Sequence, residues 1–340
     1  MRGVTATTFI IAISILFGAC DEAPQKPADD SRKEPVVVYA AFEDDAQLRD
    51  LLAAYTEQTG VMVIVRRGEA KGIVNDVIEN RVSPPADVLM TRSVTDVWRA
   101  AEDGALRPIF SVSGREQLPA WSRDPDDLWL ATGYRTAVVV HAMEDLGTAD
   151  LPDFASLAEP SFHKSLCLSS STNKVNSAVI AMMIETMGVR PAEIAVRGWM
   201  ANLALPVFDS ELQLIDAIRS GSCRIGIVSS SAIAKAKTDD SKLNVSVITP
   251  ATTYADVDGI GVARHARNPE GASALVEWLL SKDVQESKAS HDVAYPANPT
   301  AKYNKALDAA GPINVSAKNV SLIAWHEDAA AKLAERARYR

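Results

Sequence analysis

The chain has 340 residues, 47% hydrophobic and 6% aromatic, with 44 acidic against 35 basic residues and a formal charge of -9. That length and apolar content are enough for two compact units, each with its own core. The acidic balance has no basic block, which excludes an electrostatic footprint for nucleic acid and suits a soluble, self-repelling protein. At the amino terminus Arg2 precedes an apolar run from Phe9 to Phe17 that ends on Gly18 and Ala19, the pattern of a secretory signal peptide over residues 1–19. The run is too short to span a bilayer as a helix. Asp21 to Glu34 carries prolines and acids with almost no large apolar residue, which predicts a disordered tether.

The fold begins at Pro35. Val36-Val37-Val38-Tyr39 is a continuous apolar run of the kind covered on both faces of a sheet, and Ala40 to Asp45 is the loop at its carboxyl end. Leu48, Leu51, Leu52 and Tyr55 at helical spacing predict a helix from Ala46 to Thr59, stopped by Gly60. Val61 to Val65 is the second strand, and this strand, helix, strand succession implies a parallel sheet. Lys71 to Asn80 reads as a helix and Ala86 to Met90 as the third strand, whose end presents Thr91, Arg92 and Ser93. A helix from Val94 to Gly104 follows, then a polar, proline-containing connection from Ser111 to Asp127. Trp129 to His141 holds a long β run, a candidate crossover between domains.

The second half repeats the pattern. Leu166-Cys167-Leu168 is a short strand, and Ser169 to Asn173 a polar loop feeding a helix from Asn176 to Met187. Ser170, Ser171 and Asn173 there supply side-chain caps and free backbone amides, which make either an anion pocket or a plain helix cap. Ile194 to Leu203 and Glu211 to Ile218 are predicted helices. The stretch GSCRIGIVSSSA, Gly221 to Ala232, reads as a buried strand from Arg224 to Val228 that delivers Ser229, Ser230 and Ser231 from its carboxyl end. Open α/β sheets bind ligands at that edge. Val245 to Ile248 is a further strand, Asp258 to Ala263 a return crossover, and Pro269 to Ser281 an amphipathic helix. Tyr295-Pro296-Ala297-Asn298-Pro299 leads into a helical tail through Arg340. Cys167 and Cys223, in an exported chain, either pair or stay as two buried thiols. The five histidines show no metal-ligand spacing and the serines no Gly-x-Ser-x-Gly elbow, so an enzyme is not expected.

Several blocks in succession carry a resemblance: VVVYAAFEDD, AYTEQTGVMV, PPADVLMTRSVTDVWRAAEDGAL, SLCLSSSTNKVNSAV, GSCRIGIVSSSA, GIGVARHARNPEGASALVEWLLSKDVQ and AYPANP. Together they resemble the periplasmic solute-binding proteins of ABC importers, in the ferric-ion-binding subfamily. The resemblance implies a two-lobed α/β fold of the type II periplasmic-binding-protein kind. Residues 35–134 with 259–300 would form one lobe, residues 135–258 with 301–340 the other, joined by crossover hinge strands that close on a ligand. It also implies a disulfide between Cys167 and Cys223, a permease and an ATPase as partners, and a monomer without catalysis. Leu16-Phe17-Gly18-Ala19-Cys20 resembles a bacterial lipoprotein box, with Cys20 as the lipidated first residue of the mature chain. Asp21 after it resembles the signal for retention at the inner membrane, so the expected location is the periplasm, on a lipid anchor.

The ligand positions depart from the family. Ferric-binding members hold iron with two adjacent tyrosines after the strand matching Arg224 to Val228, often with a tyrosine in the serine-rich loop and a histidine or tyrosine after the first strand. Here Ser231 and Ala232 stand at the tyrosine pair, Val175 in the loop, and Glu43 and Asp44 after the first strand. Neutral serine and alanine do not replace two phenolates around a hard cation. Arg92 at the end of the third strand favours a carboxylate, phosphate or phosphonate, unless it pairs with Glu43 or Asp44 or points to solvent. The hydroxyls of Ser170, Ser171, Ser229, Ser230 and Ser231 suit the same anion, while Glu43, Asp44, Asp209 and Glu211 would answer an amino group or a metal on the ligand. The expected ligand is therefore iron complexed with an anion, or an oxyanion. The other reading is a degenerate paralogue that serves as an interaction or sensory partner.

Overall fold

The computed structural model describes residue 3 and residues 34–42, 46–142 and 153–340. Cys20, the tether as far as Lys33, Glu43 and Asp44 lie outside the described residues. β1 (Val36–Ala41), buried along its whole length, lies between the parallel strands β2 (Val63–Arg67) and β3 (Val88–Thr91). α1 (Ala46–Thr59) and α2 (Ala70–Glu79) are the connections, and Gly60 ends α1 at φ +73°, where glycine is favoured. Next come α3 (Val94–Glu102), β4 (Leu106–Arg107) and α4 (Val112–Gln117). The stretch expected as a plain connection from Ser111 to Asp127 therefore contains α4 and a 3-10 turn at Ala120–Ser122. Ser111 Oγ accepts from Gly114 N at 2.7 Å, a cap that polar composition alone conceals.

The remaining elements are β5 (Trp129–Ala142), β6 (Leu166–Cys167), α5 (Lys174–Met187), α6 (Val189–Ala201), α7 (Glu211–Arg219), β7 (Ile225–Ser229) and α8 (Ser230–Asp239). They continue with β8 (Val245–Ile248), β9 (Ala255–Ala263), α9 (Pro269–Leu280), α10 (Lys282–Asp292), α11 (Ser321–Trp325) and α12 (Glu327–Arg336). The strands are ordered β2-β1-β3-β9-β5-β7-β6, with β4 beside β9 and β8 beside β5. β5 and β9 are the two expected crossovers. They run antiparallel from Trp129 opposite Gly261 to Thr136 opposite Ala255, after which Ala137 to Ala142 pair with β7 and β8 instead. One long strand thus belongs to both sheets.

Besides α4, two helices escaped the sequence reading. α8 starts inside the serine run: Ser229 is its cap, its hydroxyl accepting from Ala232 N at 3.1 Å, so the serines delivered at the strand's carboxyl end open a helix. α10 has a polar inner face made of Gln285, Lys288 and Asp292 beside Val284 and Ala289, so apolar periodicity does not mark it. Gln285 is fully buried and its amide donates to Thr132 O and Leu279 O while its oxygen accepts from Ala297 N and Asn298 N. A large core cluster covers the first sheet and the helices of the second half, and a smaller one gathers Val138, Val140, Leu214, Ile218 and Val228. The smaller cluster encloses the Cys167–Cys223 disulfide, which joins the end of β6 to the start of β7.

Candidate functional site

The crossing strands carry charge where the two sheets meet. Asp256 and Asp258 alternate with Val257 on β9 and so share a face, as do Gly133 and Arg135 opposite them on β5. Asp258 is buried and takes Arg135 Nη1 at 2.7 Å, Lys288 Nζ at 2.6 Å and Arg92 Nη1 at 3.8 Å. Asp292, on the last turn of α10, takes Lys288 at 2.9 Å and Arg92 at 3.2 Å. Burial opposes the charge on Asp258, but Arg135, Lys288 and Arg92 outweigh it and hold the carboxyl far below the usual range. A β-carbon at Gly133 would lie 3.2 Å from Lys288 Nζ and 3.4 Å from an Asp258 oxygen, so the glycine leaves room for this ion cluster. The Arg92 guanidinium also lies 4.9 Å over the Phe42 ring. A small cavity beside the cluster is walled by Phe42, Leu48, Leu51 and Met90.

Asp256 lies two residues before Asp258 on the same face of β9. It is opposite Arg135 in register and accepts from Val94 N at 3.1 Å, at the amino-terminal end of α3. Burial pushes its carboxyl up to about 7, more than the Val94 amide, Lys174 and Arg135 offset. Lys174 opens α5 and reaches Glu327 on α12 at 3.4 Å. Burial would lower the Lys174 pKa, but Asp96, Glu327 and Asp256 raise it overall. Lys174 therefore couples α5 to α3, α12 and β9 through charge.

The serines are engaged locally. Ser229 donates its backbone N–H and its hydroxyl to the Glu211 carboxylate, the latter at 3.1 Å. Glu211 is raised by burial, against the bonds from Ser229 and Asn173. Ser230 Oγ accepts from Thr136 N at 3.2 Å, and Ser231 Oγ donates to Val293 O at 2.6 Å. Ser170 pairs with Thr172, Ser171 lines a surface groove with Lys174 and Glu327, and Asp209 is exposed. The structure thus brings Asn173, Glu211 and Ser229 together, and directs Ser231 towards the end of α10. Arg92 pairs with Asp258 and Asp292, partners the sequence reading did not consider. Val175 and Ala232 are buried.

Arg135, Lys174, Asp256, Asp258, Lys288 and Asp292 were missed. The available signal was charge inside apolar strands: Arg135 precedes Thr136-Ala137-Val138-Val139, and Asp256 and Asp258 interrupt β9. Such residues are buried only with partners. Among the described residues, no group of three or more His, Cys, Asp and Glu is arranged to hold a metal ion.

Residues 36–291 match the family model for bacterial extracellular solute-binding proteins. The chain belongs to that family. This solute-binding protein is 25% identical over 319 residues to Iron uptake protein A1 of Synechocystis sp., covering 90% of the chain and 88% of that relative. It superposes on Trichodesmium IdiA (FutA), solved with iron and citrate ligands, with TM-score 0.83 and 26% identity, covering 90% of this chain and all of the other. The Bordetella ferric binding protein gives TM-score 0.81 at 26% identity, covering 90% and 99%. The ferric-iron-binding members are thus its relatives, and the two-lobed α/β fold expected from the sequence is the one they share. The family binds solutes and carries out no catalysis, in line with the sequence expectation.

Proposed function

We propose that this chain is the binding subunit of an ABC importer and captures a small anionic ligand where β5 and β9 cross. The ligand is iron carried by a chelating carboxylate, or an oxyanion such as phosphate or a phosphonate. The lobes are residues 35–134 with 259–300 and residues 135–258 with 301–340, and they close over the ligand about the crossing strands. One observation carries the ligand reading: the positions where the resemblance expects iron-binding tyrosines hold Val175 and Ala232, both buried, and Ser231, bonded to a main-chain carbonyl. No phenolate stands there for bare ferric iron. Arg135 and Lys174 supply positive charge in the same space, and a guanidinium suits a carboxylate or phosphate. That the Trichodesmium relative was solved in complex with iron and citrate ligands supports an anion-coordinated ligand. We also read Cys20 as the lipidated residue that holds the chain to the inner membrane from the periplasmic side.

Calorimetric titration of the mature chain with ferric citrate, iron-free citrate, phosphate and methylphosphonate tests the ligand. One-site binding to at least one of them is expected, weakened about tenfold or more by Arg135→Gln, which corresponds to about 1.4 kcal/mol. A visible tyrosinate-to-iron band on adding a bare ferric salt would overturn the reading. Cys20→Ser is expected to move the chain from the membrane fraction to the periplasmic extract.

A further inference from the structure

α11 packs against both α3 and α5, so the tail lies on helices of both sheets. At its end Trp325 is 66% exposed, among the largest apolar exposures of the described residues. Its ring meets Trp98 of α3 edge-on, with centroids 6.3 Å apart and planes at 84°. The two rings line a groove between α3 and the junction of α11 with α12, rimmed by Glu102, Asp103 and Asp328. The cation on the groove wall, Arg99, is turned to Asn75 at 2.9 Å. Apolar surface rimmed by polar groups marks interaction sites, and here Trp98 and Trp325 lie together inside an acidic rim. Tryptophan is also among the side chains that dominate interface energies.

We infer that this groove docks an arginine- or lysine-bearing segment of the importer's membrane-spanning subunit. The inference rests on the importer reading above. An exposed indole and an acid rim are complementary to a guanidinium or ammonium, which stacks on tryptophan and pairs with carboxylates at the edge. The position adds a reason for that partner. One wall is α3, beside the first sheet, and the other is the tail, which also packs on α5. A partner bridging both walls senses how the two halves of the protein are placed, as a permease must when it accepts only loaded binding protein. The acid rim would repel an anionic membrane surface, which argues against lipid as the occupant.

The test places the photocrosslinker p-benzoylphenylalanine at position 325, and separately at position 102, of the full-length chain in cells that carry its importer. Crosslinked products are identified by mass spectrometry. The expected product at both positions is the membrane-spanning permease subunit, at a peptide containing arginine or lysine, with the yield at position 325 cut about fivefold or more by Asp328→Lys. No product, a lipid adduct or a second copy of this chain would overturn the docking site. The purified labelled chains are checked for a melting temperature near that of wild type and titrated with ferric citrate and phosphate. Unchanged affinity with no permease adduct sinks the docking site alone. A permease adduct on a chain that binds none of the anions sinks the ligand reading alone.

Discussion

Arg135 and Asp258, on neighbouring antiparallel crossing strands, close a 2.7 Å ion pair where the two sheets meet, and Asp258 is also the acceptor for Lys288 at 2.6 Å. A buried ion cluster contributes little over an apolar replacement, but removing one member strands the others without their countercharge. Asp258→Asn keeps the shape and deletes the anion, leaving Arg135, Lys288 and Arg92 with Asp292 as their remaining carboxylate in the cluster. The variant is expected to lose about 3–5 kcal/mol of unfolding free energy, measured by urea titration. A loss below about 1 kcal/mol would mean that the cluster is hydrated.

Asp256, two residues earlier, behaves in the opposite sense. Its folded pKa of about 7 lies above the unfolded value of about 3.9, so between those limits the folded state holds more protons than the unfolded state. Its contribution to stability therefore falls as pH rises from about 4 to about 7 and is level above that. Asp258, held low by its three cations, contributes stability of the other sign, present above the unfolded value of about 3.9 and lost progressively as pH falls below it, equally in wild type and in an Asp256 variant. Asp256→Asn keeps an acceptor for Val94 N and removes the titration. The variant should match wild type near pH 4 and exceed it by about 1–3 kcal/mol near pH 8. Urea midpoints of the two proteins across that range check the sign, and a difference independent of pH would refute the assignment.

Ser231 separates a structural serine from a ligand-binding one. Its hydroxyl donates at 2.6 Å to the carbonyl of Val293, which follows α10 in the left-handed region at φ 50°. Ser231→Ala leaves that carbonyl without this donor and is expected to cost about 1–2 kcal/mol in stability. On the proposed anion reading, affinity for ferric citrate or phosphate should stay within about twofold. A tenfold loss of affinity at unchanged stability would show instead that the hydroxyl touches the ligand.

These residues also mark how far the sequence was legible. β1, α1 and β5 follow from continuous apolar runs, helical spacing and a glycine stop, because burial of side chains from one local segment decides them. The strand before Ser229 was legible for the same reason. α8 was not, because three serines look alike until one is seen to cap a helix and the next to accept from Thr136 N. α10 was hidden by a core-facing surface of Gln285, Lys288 and Asp292, whose burial depends on partners from β5, β9 and the segment after α10. The charged centre of the candidate site is of the same kind. Arg135, Asp256 and Asp258 meet only once two strands more than a hundred residues apart are paired.

The Cys167–Cys223 disulfide ties β6 to the segment that leads into β7. Cys167 and Cys223 are both buried and separated by 56 residues, and β6 has only two residues of its own. Closing a loop of that length in the unfolded chain is worth about 4 kcal/mol on the chain-entropy model. β6 leads directly into Ser170 and Asn173, and Asn173 caps α5 through Val175 N at 3.0 Å. The double variant Cys167→Ser, Cys223→Ser should therefore lose about 2–4 kcal/mol and loosen this edge before the first sheet. Hydrogen exchange is expected to quicken from Leu166 to Val175 while β1 and β2 stay protected. Uniform quickening across both sheets would indicate that the bridge acts on the whole molecule and does not pin the loop before α5.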